Sequence, residues 1–341
     1  MRELLIPLLL LSLFALQGCS ATPTAAPKGD WAIAIHGGAG VLDKVAPPEE
    51  RAEYARSLAA ALEIGRNELA RGGTALDAVQ KVVNTLEENP LFNAGKGAVF
   101  TYDGTHELDA SIMDGATLKC GAVAGVKTVR SPVGLARLVM DRSPHVLLTG
   151  DGAEQFATKM GVDRVDNTFF DTPQRREYWK ERRAELDKQS QTPADPRSTY
   201  GTVGAVALDS HGNLAAATST GGLTCKRWGR VGDTPIIGAG NYADAHAAIS
   251  CTGTGEEFIR HGVARQIALL VEMNRSAAGA ADTVVNHRLK PDDGGVIVIS
   301  RTGEIAMIYN SEGMFRGAAD SRGRFDVSIW DKPETITEAA K

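Results

Sequence analysis

Two stretches of the chain each combine two apolar strands with a tight, glycine-containing turn. They are TVGAVALDSHGNLAAATST (residues 202–220) and GGVIVISRTGEIAMIYNSEG (residues 294–313). Turns this short make the two strands of each stretch pair in the antiparallel sense. Apolar spacing predicts helices over 48–71, 74–88 and 256–274. The combination predicts an α+β fold in which packed, mainly antiparallel sheets are flanked by helices.

Shorter patterns complete this outline. The stretch 31–40 (WAIAIHGGAG) is typical of a strand that runs into a glycine-rich loop, and 98–115 indicates two short strands about a turn at Asp103-Gly104. Short helices are predicted over 131–142 and 150–161. The segment 163–200 is highly charged, has little apolar periodicity and contains Pro193 and Pro196, which indicates a variable linker.

Composition excludes several classes of function. The chain has 341 residues, of which 43% are hydrophobic, enough to bury a large core. Its formal net charge is -5 and no basic run is interleaved with aromatic residues, so nucleic acid is not an expected partner. Complete GxGxxG, Walker A, GxSxG and HExxH motifs are absent. Cys120, Cys225 and Cys251 lack the spacing of a zinc site and are expected to be small core residues.

The N-terminus has the features of an export signal. Residues 1–19 contain an apolar run too short to span a bilayer comfortably, and they are predicted to be a signal peptide. The run ends in LQGC, which resembles a bacterial lipobox in which Cys19 is lipidated. This pattern predicts a periplasmic protein that contacts the outer membrane only through its lipid anchor. Residues 20–30 are predicted to be a low-complexity tether between the anchor and the folded part of the chain. An ordinary cleaved signal that leaves Cys19 unmodified is the alternative.

A threonine stands at the boundary between the charged linker and the first strand of the 202–220 hairpin. A threonine hydroxyl is a weak nucleophile unless a base takes its proton, and one solution is to make the threonine a chain terminus whose α-amine is that base. An α-amine has a pKa of ~7.8 and a lysine amine one of ~10.4, so at neutral pH the α-amine supplies a few hundred times more free base. Thr202 gains such an amine only if the Gly201-Thr202 peptide bond is cut. Glycine suits the position before the cut because it lacks a Cβ.

A series of motifs resembles the plant-type asparaginase and isoaspartyl peptidase family of N-terminal-nucleophile hydrolases. The motifs occur in the family's order from Trp31 to about Arg316, and they are AIAIHGGAG, LEENPLFNAGKGAVFT, HELDASIMDG, GAVAGV, GTVGAVALD, AAATSTGG, GRVGDTPIIGAG, SCTGTGEEF and NSEGM. The resemblance implies a single domain, 31–341, with a four-layer αββα sandwich. It also implies self-cleavage at Gly201-Thr202 into an α chain (31–201) and a β chain (202–341), and an (αβ)2 assembly.

The resemblance further implies hydrolysis of L-asparagine and of β-aspartyl dipeptides, with a role for each matching residue. Thr202 would be the nucleophile, Thr220 would orient it, and Thr252 with the Gly253 N–H would stabilise the oxyanion. The remaining matches are substrate-binding residues: Arg230 for the α-carboxylate and Asp233 for the α-ammonium, with Gly255 and Asn93 beside them. His36, at the end of the first predicted strand, is interpreted as structural because the mechanism already has its base.

No cofactor is implied for catalysis, but a structural sodium ion is. In the family, backbone carbonyls of one loop hold this ion, and the matching residues are Leu86, Glu87, Asn89, Phe92, Ala94 and Lys96. Carbonyl oxygens suit a hard monovalent cation.

Three alternatives stay open at this point. A glycosylasparaginase would cleave the sugar-asparagine bond, although those enzymes have Asp-Thr at the cut where this chain has Gly201-Thr202. A threonine endoprotease of the same fold is a second alternative. A lipoprotein that binds amino acids without chemistry, through Arg230 and Asp233, is the third.

Overall fold

A computed structural model of the chain describes residues 29–40, 47–188 and 201–330. The signal peptide, Cys19, most of the tether and the end of the linker lie outside the described residues. In chain order the strands are β1 (Ala32–Ala39), β2 (Leu108–Asp114), β3 (Cys120–Val126), β4 (Leu147–Thr149), β5 (Val203–Leu208), β6 (Leu214–Thr220), β7 (Asn241–Ala243), β8 (Ala247–Gly253), β9 (Gly294–Ser300), β10 (Ile305–Tyr309), β11 (Met314–Asp320) and β12 (Phe325–Ser328).

The described residues contain eight α-helices, of which the first four follow the predicted apolar patterns closely. In chain order the eight are α1 (Pro48–Ala70), α2 (Ala75–Glu87), α3 (Pro132–Arg142), α4 (Gly150–Met160), α5 (Pro173–Lys188), α6 (Gly255–His261), α7 (Val263–Glu272) and α8 (Ala277–Val285). The side chains of Thr74 and Ser131 cap α2 and α3 by accepting hydrogen bonds from backbone N–H groups of the first turn. Among the described residues, none of these helices is long and apolar enough to cross a membrane.

The strands form two sheets that pack face to face. An eight-stranded sheet has the order β12-β11-β1-β5-β6-β2-β3-β4, and a four-stranded sheet has the order β10-β9-β8-β7. Among the described strands, every pair is antiparallel except β3 with β4. Both predicted hairpins are present, as β5 with β6 and β9 with β10. The predicted mainly antiparallel architecture is therefore confirmed.

Alternation of side chains along the strands produces four layers. In β1, Ile33 and Ile35 point to the core under α1 and α2, whereas Ala32 and Ala34 point to the core between the sheets. On the far side of the small sheet, a separate core joins β8 and β9 to α7 and α8. The order helix, sheet, sheet, helix is the αββα sandwich that the resemblance implied, and it brings the ends of β5, β6 and β8 together.

Three local predictions differ from the structure. The stretch 98–100 is not a strand, because loop and side-chain groups take its backbone hydrogen bonds: the Val99 N–H donates to Asn93 Oδ1 (3.0 Å), and the Phe100 carbonyl accepts from the Cys225 N–H (2.8 Å). The helix predicted over 256–274 is broken at Gly262, whose φ is +54°.

The third difference is that the predicted linker contains α5. This helix has no fully buried residue, which explains the missing apolar period. Aromatic and guanidinium contacts nevertheless attach it to the domain: the Trp179 ring lies 5.5 Å from Phe100, and the Arg183 guanidinium lies 4.8 Å from the Tyr102 ring centroid.

As predicted, Cys225 and Cys251 are buried, while Cys120 is half-buried; all three thiols are free.

The break at Gly262 gives a stability prediction. A backbone φ of +54° costs alanine about 1–2 kcal/mol more than it costs glycine. Gly262→Ala should therefore lower the free energy of unfolding by about 1 kcal/mol. The matched control is Gly152→Ala within α4, where an added Cβ meets no atom within 4 Å and should raise stability by about 0.5 kcal/mol. Urea unfolding of both variants in a Thr202→Ala background, which avoids the predicted cleavage, measures the difference. Equal effects at the two sites would contradict the assigned backbone strain.

Candidate active site

The β5–β6 hairpin places the two central threonines side by side. Its register pairs Val203 with Ser219, so Thr202, one residue before β5, lies opposite Thr220 at the end of β6. The Thr202 hydroxyl donates a hydrogen bond of 3.1 Å to Thr220 Oγ1, which also accepts the Gly222 N–H at 3.0 Å. Both side chains are buried, with 9% and 3% exposed. The contact expected from the hairpin pairing is present.

The backbone before Thr202 passes through a space without room for a side chain. A Cβ on Gly201 would lie 2.8 Å from Asn93 Cβ, and one on Gly38 would collide with Gly201 itself. Asn93 also fixes the segment after Thr220. Its side-chain amide donates to the Gly222 carbonyl (2.8 Å), and its main-chain carbonyl accepts from the Gly221 N–H (3.1 Å). Asn93 thus lies against the residue before Thr202 and holds the two residues after Thr220.

Thr252 and Gly253 approach the site from the small sheet. They end β8, and the fully buried Thr252 hydroxyl accepts a hydrogen bond of 3.2 Å from the Ala39 N–H. Accepting this bond leaves the hydroxyl's own proton free to be donated. Gly253 has a φ of +152°, and an added Cβ would collide with the Asp293 carbonyl oxygen. The end of β8 therefore requires glycine where the family's oxyanion motif has one.

Most of the predicted site residues line one small pocket. Its lining consists of Gly201, Thr202, Thr220, Gly222, Leu223, Arg230, Gly232, Asp233, Thr234 and Gly253. Of the other predicted residues, Asn93 contacts Gly201 and Gly222 of this lining, and Thr252 directly precedes Gly253 in β8. Gly255 lies against the recognition residues, since an added Cβ would be 2.9 Å from both Arg230 Nη2 and Asp233 Oδ1.

The two candidate recognition residues do not neutralise each other by direct hydrogen bonds. Arg230 instead makes a two-pronged contact with Glu256, from Nε to Oε1 (2.9 Å) and from Nη2 to Oε2 (2.8 Å). Asp233 is buried, and its Oδ2 has no hydrogen-bond partner among the described residues. Burial raises the pKa of Asp233 to about 7, although the nearby Arg230 charge acts to lower it.

Glu256 is a residue that the sequence interpretation missed. It follows Gly255 directly and lies in the first turn of α6, where an acidic side chain is ordinarily explained by the helix dipole. Only the folded chain shows that this carboxylate holds one edge of the Arg230 guanidinium. The other edge faces Gly232, whose added Cβ would lie 2.8 Å from Nη1.

Glu87 has a role in the structure that the sequence did not predict. Its buried carboxylate accepts hydrogen bonds from Ser219 Oγ (2.6 Å), Ser131 Oγ (2.8 Å) and the Val133 N–H (2.9 Å). Ser219 precedes Thr220, so the carboxylate ties the end of α2 to the strand that carries the second threonine. Burial raises the pKa of Glu87 to about 7, and the three donors only partly oppose this.

The six residues of the predicted sodium loop span the last two residues of α2 and the loop that follows this helix. Three of their carbonyls already accept backbone hydrogen bonds: Leu86 from Asn89 (3.2 Å), Asn89 from Phe92 (3.3 Å) and Glu87 from Lys96 (2.7 Å). Within the part of the chain that is described, no group of three His, Cys, Asp or Glu side chains could hold a metal ion. A sodium ion held by carbonyls stays a prediction from the resemblance.

Comparison with known proteins matches the same span of the chain. Residues 29–329 fit a family model described as Asparaginase. An isoaspartyl peptidase of Salmonella typhimurium is 53% identical over 293 residues, which cover 83% of this chain and 93% of that protein. A probable isoaspartyl peptidase/L-asparaginase of Arabidopsis thaliana is 43% identical over 89% of this chain and 100% of that protein. A plant-type L-asparaginase of Pyrococcus furiosus is 42% identical over 83% and 94%.

The raised pKa of Glu87 predicts a pH-dependent contribution to stability. Because the folded-state pKa (about 7) exceeds the ordinary value of 4.5, the contribution is fully present below pH 4.5 and is lost as pH rises through about 7. Relative to Glu87→Gln, which cannot titrate, the parent should lose on the order of 2 kcal/mol of unfolding free energy between pH 5 and pH 8. Urea unfolding at the two pH values, in a Thr202→Ala background, measures this. Parallel pH curves for parent and variant would show that Glu87 does not titrate in this range.

Proposed function

Because this chain belongs to the asparaginase family, we propose that it is an isoaspartyl peptidase and L-asparaginase with Thr202 as its nucleophile. Its substrates would be β-aspartyl dipeptides and L-asparagine, and its product would be L-aspartate. The three relatives described above carry these activities in their names, are 53% to 42% identical to this chain and match most of its length. No cofactor takes part in the proposed reaction.

The observation that carries the proposal is the shared pocket of Thr202, Arg230 and Asp233. Both substrate classes end in a free amino acid backbone with one carboxylate and one ammonium group. The Nη1 side of the Arg230 guanidinium, which Glu256 does not contact, suits the carboxylate. The unpartnered oxygen of Asp233 suits the ammonium, whose positive charge would lower the raised pKa of this carboxyl and keep it ionised. A substrate held in this way presents its side-chain carbonyl to the threonine.

The proposed chemistry proceeds through an ester. The Thr202 hydroxyl oxygen attacks the side-chain carbonyl carbon, and its proton passes to the free α-amine of the same residue. The hydroxyl of Thr252 and the N–H of Gly253 donate hydrogen bonds to the oxygen that becomes negative. The carbon-nitrogen bond breaks, and the amine returns the proton to the departing ammonia or amino acid. A water molecule then hydrolyses the aspartyl ester and restores Thr202.

The same hydroxyl would cut the chain to free that amine. Attack on the Gly201 carbonyl forms an ester in place of the peptide bond, and water then separates the α chain (31–201) from the β chain (202–341). Support comes from the confinement of Gly201 between Asn93 and Gly38, which allows no larger residue before the bond. We propose that the two chains remain together, since β1 and β5 pair within one sheet, and that two such units form an (αβ)2 assembly.

Blocking the nucleophile tests the proposal. Thr202→Ala should stay as one chain on a denaturing gel and should release no ammonia from asparagine, whereas the parent should yield two fragments, one beginning at Thr202. Thr202→Ser keeps a hydroxyl and is the matched control, with cleavage retained at a lower rate. A parent protein that stays intact and inactive would refute the proposal, as would normal cleavage of Thr202→Ala.

A substrate panel separates the related activities. The parent should hydrolyse β-aspartyl dipeptides and asparagine faster than a glycosylated asparagine. Preferential hydrolysis of the glycosylated compound would favour a glycosylasparaginase instead, and binding of aspartate without any turnover would favour an amino-acid-binding protein.

We also propose that the enzyme acts outside the cytoplasm. The apolar run of residues 1–19 and the lipobox-like LQGC support export and lipidation of Cys19, which would anchor the enzyme to the outer membrane of a bacterium. Mass spectrometry of the mature N-terminus should find a lipid-modified Cys19. An unmodified N-terminus at or after residue 19 would leave export standing and remove the anchor.

A further inference from the structure

A buried histidine contacts the main chain of the proposed nucleophile. His36 lies in β1 directly opposite Gly204 of β5, and its side chain is fully buried. Its Nδ1 lies 3.0 Å from the Thr202 carbonyl oxygen, and its Nε2 lies 2.8 Å from Ser250 Oγ in the small sheet. The imidazole therefore joins the nucleophile to the opposite sheet.

The chemistry of the partners fixes the proton positions along this chain of contacts. A carbonyl oxygen can only accept, so Nδ1 must carry the proton and donate it to Thr202. Burial lowers the pKa of His36 to about 3, so the ring is neutral and Nε2 accepts from the Ser250 hydroxyl. Thr218 Oγ1 lies 2.7 Å from Ser250 Oγ and can donate to it in turn. The hydrogen bonds then all run in one direction, from Thr218 to Thr202.

The surrounding backbone is shaped to admit the ring. A Cβ on Gly204 would collide with both Ser250 Oγ and His36 Nε2. The same segment of β1 also supplies the Ala39 N–H that donates to Thr252 Oγ1 (3.2 Å), and Gly38 contacts Gly201. One short segment thus touches the nucleophile's carbonyl, the proposed cleavage site and the proposed oxyanion hydroxyl.

We propose that His36 is a positioning residue, which acts through its Nδ1–H on the Thr202 carbonyl to aim the nucleophile and its amine. This inference rests on the proposed function. Once the Gly201-Thr202 bond is cut, Thr202 becomes a chain terminus and loses its covalent hold on the N-terminal side. Fixing its carbonyl limits rotation of the residue, so that the hydroxyl stays at Thr220 and the amine stays within reach of the hydroxyl. Misplacement of a reacting group by about 1 Å can reduce a rate about 100-fold.

Substitutions at His36 test the role. His36→Phe retains an aromatic ring and removes the donor, so kcat should fall about 10- to 100-fold while KM for a β-aspartyl dipeptide changes less than threefold. His36→Asn places an amide N–H near the position of Nδ1 and should recover most of the lost kcat. All rates are taken per mole of fragment that begins at Thr202, so that slow self-cleavage does not count as slow turnover.

The matched control is His106→Phe. His106 is also fully buried, with its Nδ1 3.1 Å from the Val99 carbonyl, but Val99 lines no part of the candidate pocket, whereas Thr202, the partner of His36, does. This variant should lose stability and keep kcat within twofold. Equal kcat values for His36→Phe and the parent, or equal losses in His36→Phe and His36→Asn, would overturn the positioning role.

A spectroscopic measurement covers the case in which His36→Phe does not fold. In 15N-labelled parent protein, the His36 resonances should show a proton on Nδ1 that stays unchanged from pH 5 to pH 9. A proton on Nε2 instead, or titration within this range, would overturn the inference. This readout is independent of turnover: a parent without hydrolytic activity would refute the proposed function alone.

Discussion

The antiparallel pairing of β5 with β6 is the constraint on which the rest of the site depends. Its register sets Thr202 opposite Thr220, and a slip by one residue would turn one of the two hydroxyls to the other face of the sheet. The neighbouring strands extend the same alignment: β1 sets His36 opposite Gly204, and β2 sets Asp109 opposite Thr220. Both faces of this sheet are covered, one by helices and the other by the small sheet. A slip in register would therefore turn side chains from one of these cores into the other.

Burial controls the charge of the polar groups around this hairpin. His36 is held neutral by burial, which lets one nitrogen donate and the other accept. Asp233 and Glu87 have pKa values raised to about 7, but their surroundings differ. Glu87 is surrounded by three donors of the protein itself, whereas Asp233 keeps an oxygen without a partner among the described residues. The same physical effect therefore yields a structural group in one case and a candidate ligand-binding group in the other.

Of the strands in the described residues, the sequence patterns predicted β1, β2, β5, β6, β9 and β10 but not the other six, and of the helices they left out α5 and α8. Apolar periodicity predicted α1 and α2 to within a few residues, because each has one face buried against the larger sheet. The break between α6 and α7 was missed because Gly262 interrupts the helix without interrupting its apolar spacing. Helix α5 was missed because it attaches to the domain through Trp179 and Arg183 rather than through an apolar stripe.

The sequence alone determined the chemistry that is available and the class of fold. A Gly-Thr bond before an apolar hairpin indicated the candidate nucleophile, and the series of motifs indicated its partners from Asn93 to Gly255. Tertiary structure alone decided which charges meet. Sequence spacing pointed to Asp233 as the neighbour of Arg230, yet Glu256 holds its guanidinium, and His36, 166 residues before Thr202, contacts its carbonyl. Such pairings depend on packing two sheets against each other, and no local pattern of residues records the distance between strands that are far apart in the chain.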